Sequence, residues 1–454
     1  MKKEIKKIIE DEKKEEEKER KKKKENEVSC YKGKNLLVEE IYNPEENPPF
    51  LFVYLPDGKN IPVVVKEYQV NGKIIYPLED ENIEKEVVLL PSGFEEYGDN
   101  KLLISEIKQF INKYFDIVPF YEKLYSYYVL FTWVYDCFNV LPYIRVIGDT
   151  GTGKSRFLQV VGSLCYKRIL CGGAITPAPI YRFTEIYHGT LIIDESDFKF
   201  SNEYQEIIKI LNCGYMAGVP VLRCDTENKK FPPKGYDCFV PKIIANRNKF
   251  SDQALESRCI TYQMKDRERE DIDLVLPADF DKEALVLRNK LLLWRLRNYG
   301  KKEVKNELKV DGVEDRTNQI FLPLLSVIDD IDKEFREEVQ FFMFDYNQEL
   351  VKDREMTLEA DILRVIIELR EEGNLEPSIK EITNKYNENV EEEKLKITSK
   401  KAGNIIKRLG IEKKKRTDGC WHIVDDLKKI ERLEKKYICI PPKEDRMAEE
   451  SSVK

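Results

Sequence analysis

The chain has 454 residues, enough for roughly two to four domains. Its formal net charge is only -7, so it has no overall basic excess, and any surface for nucleic acid must be local. Ten cysteines without a C-x-x-C pair and only two histidines argue against a zinc site, and a disulfide framework is not expected at this length, so we predict a reduced cytoplasmic protein.

The N-terminal part of the chain changes character near residue 28. Residues 1–27 are almost wholly lysine and glutamate, typical of a solvated helix or a disordered tail, and they contain no apolar signal-peptide core. Residues 28–100 are β-rich and predict a small antiparallel domain for docking or oligomerisation. The candidate strands lie at 51–55, 61–65, 73–76 and 87–90.

Residues 101–140 form a predicted helical leader, because apolar residues recur there at helical spacing. The most apolar stretch of the chain, 124–135, lies within it. This stretch is too short to cross a bilayer, so we interpret it as a buried helix and expect no membrane association.

A glycine-rich turn follows the apolar run 144–147. Residues 148–155 fit the P-loop spacing G-x-x-x-x-G-K-[ST] without a gap, and a helix-compatible run follows. Such a loop presents backbone N–H groups to phosphate oxygens, which predicts ATP binding. Lys154 would reach the β- and γ-phosphates, and the Ser155 hydroxyl would ligate Mg²⁺. The predicted nucleotide-binding residues are Gly148, Asp149, Thr150, Gly151, Thr152, Gly153, Lys154 and Ser155.

Two acidic residues end the apolar strand predicted at 190–193. We expect Asp194 to hold Mg²⁺ through water and Glu195 to polarise the attacking water. Two surface acids are the alternative, but the position about forty residues beyond a P-loop favours the catalytic interpretation.

A β-hairpin is predicted beyond the helix at 204–211, with strands at 219–224 and 236–240. Lys229, Lys230 and Lys234 would lie near its tip, where they would contact DNA phosphates. An ordinary solvated hairpin is an equally good interpretation of the same pattern.

Two more strands complete the predicted sheet. The apolar run 242–247 places Asn246 near a strand end, where its side chain would help to position the attacking water. Arg258 directly precedes the final strand candidate.

This order of motifs resembles the AAA+ ATPase core, and among AAA+ proteins most of all the replicative helicases of viruses and plasmids. It is similar in outline to the MCM helicases. The resemblance covers roughly 101–350, and the segments 131–138, 177–183 and 321–330 together with Arg156 resemble one group of mobile-element helicases. It implies an α/β fold with an ATPase core at 141–279 and a helical lid at 280–355.

By the resemblance, Asn246 matches the sensor and Arg258 the arginine finger, which acts on ATP bound by a neighbouring subunit. A surface or intradomain salt bridge is the alternative for Arg258. Arg316 is the expected second sensor, although Arg295 or Arg297 fit equally well.

The C-terminal region 357–440 is predicted as a winged helix-turn-helix. Helices are expected at 357–373, 377–386 and 398–410, followed by a strand, turn and strand at 411–424. The third helix and the wing carry a basic cluster, which favours DNA binding over protein docking. Its members are Lys400, Lys401, Lys407, Arg408, Lys413, Lys414, Lys415 and Arg416. Residues 441–454 are expected to be disordered.

These features together predict an ATP-dependent DNA motor, foremost a replicative helicase of a virus, plasmid or other mobile element. We expect a ring-shaped homo-oligomer, a hexamer, that contacts replication proteins through its N-terminal domain. The alternatives are an origin-binding initiator or loader, and a DNA-bound regulator switched by ATP. Neither would unwind DNA.

Overall fold

The computed structural model describes residues 23–34, 36–55, 62–172, 175–194, 202–224, 232–355, 357–390 and 395–438. Contacts divide the chain into two compact units. The first comprises Met1–Lys309 and Arg316–Val339, and the second comprises Val310–Asp315 and Gln340–Lys454. The predictions for the two terminal tails concern residues that, except for 23–27, lie outside the described part.

The first unit is a mixed α/β structure. Its strands are β1 (Glu27–Val28), β2 (Cys30–Gly33), β3 (Leu36–Ile41), β4 (Phe50–Tyr54), β5 (Val63–Val65), β6 (Tyr68–Val70), β7 (Lys73–Pro77), β8 (Val88–Leu89), β9 (Tyr143–Ile147), β10 (Arg168–Cys171), β11 (Leu191–Ile193), β12 (Val221–Cys224), β13 (Pro233–Tyr236), β14 (Lys242–Asn246) and β15 (Cys259–Gln263).

The helices of this unit flank the strands along the chain. They are α1 (Glu81–Glu84), α2 (Asn100–Tyr114), α3 (Pro119–Thr132), α4 (Lys154–Gly162), α5 (Pro177–Tyr187), α6 (Asn202–Cys213), α7 (Gln253–Glu256), α8 (Phe280–Asn298) and α9 (Asp315–Asp329), and α10 (Lys333–Glu355) runs from this unit into the second. Short 3₁₀ turns lie at Tyr135–Cys137 and Asn306–Leu308.

A six-stranded sheet organises the first unit, in the order β15-β9-β14-β11-β10-β8. Its first five strands are parallel, and β8 runs antiparallel to β10. Every residue of β9 is buried, as expected for a parallel strand covered on both faces. Because parallel strands end at one edge, the residues that directly follow β9, β14 and β11 meet there.

The N-terminal strands form two small sheets, β2-β3-β4-β5 and β1-β7-β6. The predicted strand at 87–90 does form, as β8, but it joins the central sheet rather than these small sheets. Sequence pattern shows that a segment is extended but not which neighbour it pairs with, and this accounts for the difference.

Helix α3 contains most of the apolar stretch predicted as a buried helix, and residues 124–132 are all buried. Pro119 occupies its first turn, where a missing N–H costs nothing. Within the described part of the chain, no helix combines the length and the apolar character that crossing a membrane requires.

A buried ionic cluster ties the N-terminal strands to the helices around the sheet. Arg295 on α8 donates to Glu39 on β3 at 2.7 Å and to both oxygens of Asp136 at 2.9 Å. Lys167 lies 2.9 Å from Glu39, and Arg295 and Glu39 are both fully buried. Burial alone would raise the pKa of Asp136, but Arg295 and Lys32 hold it below its ordinary value. The guanidinium group of Arg295 is therefore bound by the carboxylates of this cluster.

Glu40, next to this cluster, predicts a pH-dependent stability. Its carboxyl group is fully buried, and this burial raises its pKa to about 8, although Lys167, Ser29 and the backbone of Leu78 lower it in part. In the unfolded chain the carboxyl ionises near pH 4.5, so folding stability falls as pH rises from there to about 8, by up to about 1.4 kcal/mol per pH unit.

Glu40→Gln should therefore change the free energy of unfolding little near pH 5 and increase it by a few kcal/mol at pH 8.5, because a neutral side chain avoids this loss. Urea denaturation at both pH values measures the effect. Glu338→Gln, at an exposed glutamate, serves as the control and should show no pH-dependent gain. An equal change at both pH values would contradict the prediction.

The second unit contains a helical and hairpin region. Its elements after α10 are α11 (Leu358–Glu371), α12 (Ile379–Glu388), α13 (Ser399–Arg408), β16 (Lys413–Lys415), β17 (Trp421–Ile423) and α14 (Leu427–Tyr437). Thr357, Ser378 and Thr398 cap α11, α12 and α13, and all three helices start within two residues of the predicted positions. Helix α14 was not predicted.

One apolar core holds these elements together. Ile362, Ile382, Ile405 and Ile423 are all fully buried and belong to one cluster, which α14 joins through its own apolar side chains. The antiparallel hairpin β16-β17 packs on this core through Ile423.

Candidate active site

The glycine-rich loop leaves the sheet at the end of β9, and its shape requires glycine. Gly151 and Gly153 have φ values of +91° and +87°, a region that other residues rarely adopt. A Cβ on Gly148 would lie 2.6 Å from the Thr152 hydroxyl and 2.9 Å from Met264. That hydroxyl donates to the carbonyl of Asp149 at 2.9 Å, which closes the turn.

Lys154 begins helix α4 and its ammonium group lies against the loop. Its Nζ donates to the carbonyls of Gly148 and Asp149, each at 2.6 Å. The first N–H groups of α4 have no partners within the helix, so together with Lys154 they supply several donors for phosphate oxygens.

The strand order brings residues from three strands to this loop. β14 lies between β9 and β11, with Asn246 paired to Ile147 and Ile244 paired to Ile193. Asp194 directly follows β11, so it and Asn246 reach the same edge as the loop. They line one cleft of about 280 Å³. Its lining residues are Thr150, Gly151, Gly153, Lys154, Ser155, Arg156, Asp194, Asn246 and Arg247.

The cleft offers ligands that suit Mg²⁺. The Oδ1 atom of Asp194 is buried and has no hydrogen-bond partner among the described residues, so this acidic oxygen is available to a cation or its water. Ser155, which carries a hydroxyl group, lines the same cleft. Hard oxygen ligands of this kind, with phosphate oxygens beside them, match the preference of Mg²⁺. Glu195, the predicted partner of the attacking water, lies outside the described residues.

Asn246 is held close to the glycine-rich loop. The residue is only 3% exposed, and its backbone carbonyl accepts from the N–H of Gly148 at 3.3 Å. The two segments are therefore joined at the strand ends. The geometry is compatible with the predicted sensor, which remains a prediction.

Arg258 lies at the opposite edge of the sheet from the loop. It precedes β15, and its carbonyl accepts from the N–H of Tyr143 at the start of β9. The five residues of β9 separate it from the loop by roughly 16 Å. Arg258 therefore cannot reach the phosphate site of its own chain. This position is compatible with the prediction that Arg258 acts on ATP bound by a neighbouring subunit.

Tyr215, which the sequence pattern did not single out, lies beside the predicted arginine finger and the predicted second sensor. The guanidinium of Arg258 is 4.1 Å from the Tyr215 ring centre, and that of Arg316 is 5.1 Å from it. Partial burial would raise the pKa of Tyr215, but hydrogen bonding to Arg316 and the charges of both arginines lower it. Arg316 also donates to Gln319 at 2.5 Å. The structure thus groups Arg316 with Arg258 and not with the cleft.

An ion pair that the sequence did not reveal lies next to Arg258 in the chain. Arg145, in the middle of β9, is fully buried and makes a bidentate pair with Glu256 on α7, and it also donates to Thr261 at 2.7 Å. Glu256 stands two residues before Arg258. The signal in the sequence was an arginine interrupting an apolar strand, which needs a partner when buried.

The other two arginines considered for the second sensor also lie outside the cleft lining. Arg295 belongs to the buried cluster described above, and Arg297 pairs with Glu96 at 2.7 Å.

The hairpin prediction was correct for its first strand and wrong for its second. β12 pairs with β13 at Pro233–Tyr236, whereas 236–240 was expected. The Asp237 side chain instead accepts from the N–H of Phe239 and turns the chain there. Lys234 lies within β13, opposite Arg223, one pair before the last pair of the hairpin, Cys224 with Pro233. Lys229 and Lys230 lie outside the described residues.

The basic cluster of the second unit divides into paired and unpaired residues. Arg408 pairs with Glu359 at 2.9 Å, Lys414 and Arg416 pair with Glu376, and Lys413 donates to the carbonyl of Gly403 at 2.7 Å. The remaining members are exposed and form no ion pair with any described residue. They are Lys400, Lys401, Lys407 and Lys415.

Comparison with known proteins gives weak likenesses. No protein-family model and no curated protein sequence matches the chain. Among solved structures it is similar to an active helicase, SCCmec type IV Cch, at 11% identity and a TM-score of 0.42, over 87% of this chain and 93% of that chain.

Two further solved structures show the range of the likeness. The apo C-terminal region of NrS-1 matches at 11% identity and a TM-score of 0.37, over 86% of this chain and 96% of that chain. The ORC1 protein of Aeropyrum pernix in complex with DNA matches at 16% identity and a TM-score of 0.22, over 70% and 92% of the two chains. Likenesses at these values carry no argument about the activity of this chain.

Proposed function

We propose that this chain is an AAA+ ATPase that uses ATP hydrolysis to separate DNA strands. The observation that carries the proposal is the cleft at the edge of the parallel sheet. There the strand order β15-β9-β14-β11-β10 brings a P-loop lysine, an acidic residue with a buried free oxygen and a strand-end asparagine together.

Each side chain then has a distinct role. Lys154 and the first N–H groups of α4 bind the β- and γ-phosphates of ATP. Ser155 and Asp194 would hold Mg²⁺, which would supply positive charge beside the phosphates. Glu195 and Asn246 orient the attacking water. Arg258 of a neighbouring subunit completes the site, so the active form is a ring, proposed to be a hexamer.

DNA is the proposed object of this work. The helices α11, α12 and α13 and the hairpin β16-β17 follow the order of a winged helix-turn-helix, whose third helix enters a DNA groove. The exposed face of α13 carries Lys400, Lys401 and Lys407, which supports contacts to phosphates. Lys234 on the hairpin β12-β13 would contribute a further contact, and so would Lys229 and Lys230, which lie between the two strands in the sequence.

DNA-dependent ATP hydrolysis tests the proposal. Steady-state phosphate release should require Mg²⁺ and rise several-fold when a forked DNA duplex is added. Hydrolysis that ignores DNA would contradict a DNA motor. Hydrolysis stimulated by DNA but without strand separation would instead support the second candidate, an initiator or loader, which the basic face of α13 also favours.

A further inference from the structure

Trp421 is an exposed aromatic residue on the hairpin of the second unit. Its side chain is 51% exposed, whereas Trp133 and Trp294, the other two tryptophans of the chain, are fully buried. An indole costs free energy when it is left in water, so its position at the start of β17 calls for a partner.

The register of the hairpin places Trp421 on a defined face. Cross-strand pairs share a face, so Lys415 with Trp421 and Lys413 with Ile423 lie on the same side. Ile423 is buried in the core, and Lys413 donates to Gly403 on α13. Trp421 and Lys415 therefore lie on the face of the hairpin that packs against α13, but outside the apolar core.

On the opposite face of the hairpin, the positive charges are paired with a carboxylate. Lys414 and Arg416 both pair with Glu376, and the His422 ring contacts the carbonyl of Glu376 and the Asp418 carboxylate. Lys415, beside Trp421, is exposed and forms no ion pair with any described residue. The free positive charge of the hairpin thus lies on the same face as the exposed indole.

We propose that Trp421 stacks on an unpaired base of single-stranded DNA while Lys415 contacts the adjacent phosphate. An aromatic face next to a cation is the recurring arrangement for single-stranded nucleic acid, and each stacked base contributes about 1–3 kcal/mol. Bases inside a duplex have both faces covered by their neighbours, so the indole selects unpaired bases. The proposal rests on the proposed function. It adds a contact specific for single-stranded DNA beside α13, the helix proposed to hold the duplex.

The intrinsic fluorescence of the full-length protein tests this directly, because Trp421 is the exposed one of the three tryptophans. Oligothymidylate and a forked duplex should quench the emission, and a blunt duplex should not. Trp421→Phe should remove the quenching but keep most of the affinity for oligothymidylate, since a phenyl ring still stacks.

The matched binding experiment uses the anisotropy of labelled DNA. Trp421→Ala should weaken binding of oligothymidylate about tenfold and leave binding of the blunt duplex within about twofold. Leu427→Ala, at another exposed apolar residue of the same unit, should bind both DNAs as the native chain does.

Three results would overturn the inference. One is quenching by the blunt duplex equal to that by oligothymidylate. Another is unchanged affinity of Trp421→Ala for oligothymidylate, without quenching in the native protein, which would leave the proposed function standing and favour a protein partner for the indole. If the native protein bound no DNA even at low salt, the proposed function would fail as well.

Discussion

Arg258→Ala should lower the rate of ATP hydrolysis by at least about 10³-fold, because an arginine finger typically contributes 10³–10⁵ to this step. The affinity for ATP should change little. The residue lies a full strand away from the loop of its own chain, so in the proposed mechanism its target is the ATP of a neighbouring subunit. Phosphate-release assays give the rate, and a fluorescent ATP analogue gives the affinity.

The trans arrangement makes a sharper prediction for mixed oligomers. Subunits with Lys154→Ala retain Arg258, and subunits with Arg258→Ala retain an intact loop. Mixing the two inactive variants should therefore restore part of the activity. Arg364→Ala, at an exposed arginine paired with Asp361, should behave as the native chain. Activity that never recovers in any mixture would show that Arg258 does not act across a subunit boundary.

In the structure, Arg258 is only 8% exposed and is held by Tyr215 and the carbonyl of Ala254. Engagement with a neighbour's γ-phosphate therefore requires the guanidinium to leave this position. Since Arg316 contacts the same tyrosine ring, the two arginines share one local environment. We infer that the edge of the sheet that carries Arg258 would face the ATP of a neighbouring subunit.

Lys154→Ala should reduce ATP hydrolysis by about 10²–10³-fold or more and should also weaken ATP binding. The ammonium group is the cationic donor held at the loop, and removing one preorganised donor from a reacting oxygen typically costs this much. The same two assays measure both effects.

A control separates the loss of this donor from a general change in charge. Lys282→Ala removes an exposed lysine on α8 and should leave both the rate and the affinity unchanged. Native-like hydrolysis by Lys154→Ala would mean that the cleft at residues 148–155 is not the catalytic site.

Local sequence patterns were sufficient to predict the strands that lead to the cleft. The apolar run before Gly148, the strand before Asp194 and the strand ending at Asn246 are all formed, because each is a short buried strand between turn signals. Helix caps were equally readable, since Thr357, Ser378 and Thr398 each precede a helical pattern. These features depend on neighbours within a few residues.

Features that depend on distant partners were not predictable. Arg145 meets Glu256, 111 residues away, and Glu39 meets Arg295, 256 residues away. A sequence reveals that such charges are unusual within apolar segments, but not which partner neutralises them. The sheet assignment of β8 is of the same kind.

Helix α14 was missed although a signal existed. Leu427, Ile430 and Leu433 recur at helical spacing, and Asp426 caps the helix by accepting from the N–H of Lys429. The strongly charged sequence around them hid this short apolar stripe. Ile430 and Leu433 are buried in the core of the second unit, so the helix is part of that fold.

Strand separation on a forked DNA duplex tests the central claim most directly. With Mg²⁺ and ATP, the native protein should release the labelled strand, whereas Lys154→Ala should bind the fork and release nothing. Hydrolysis stimulated by the fork without release of either strand would contradict the claim that this ATPase separates DNA.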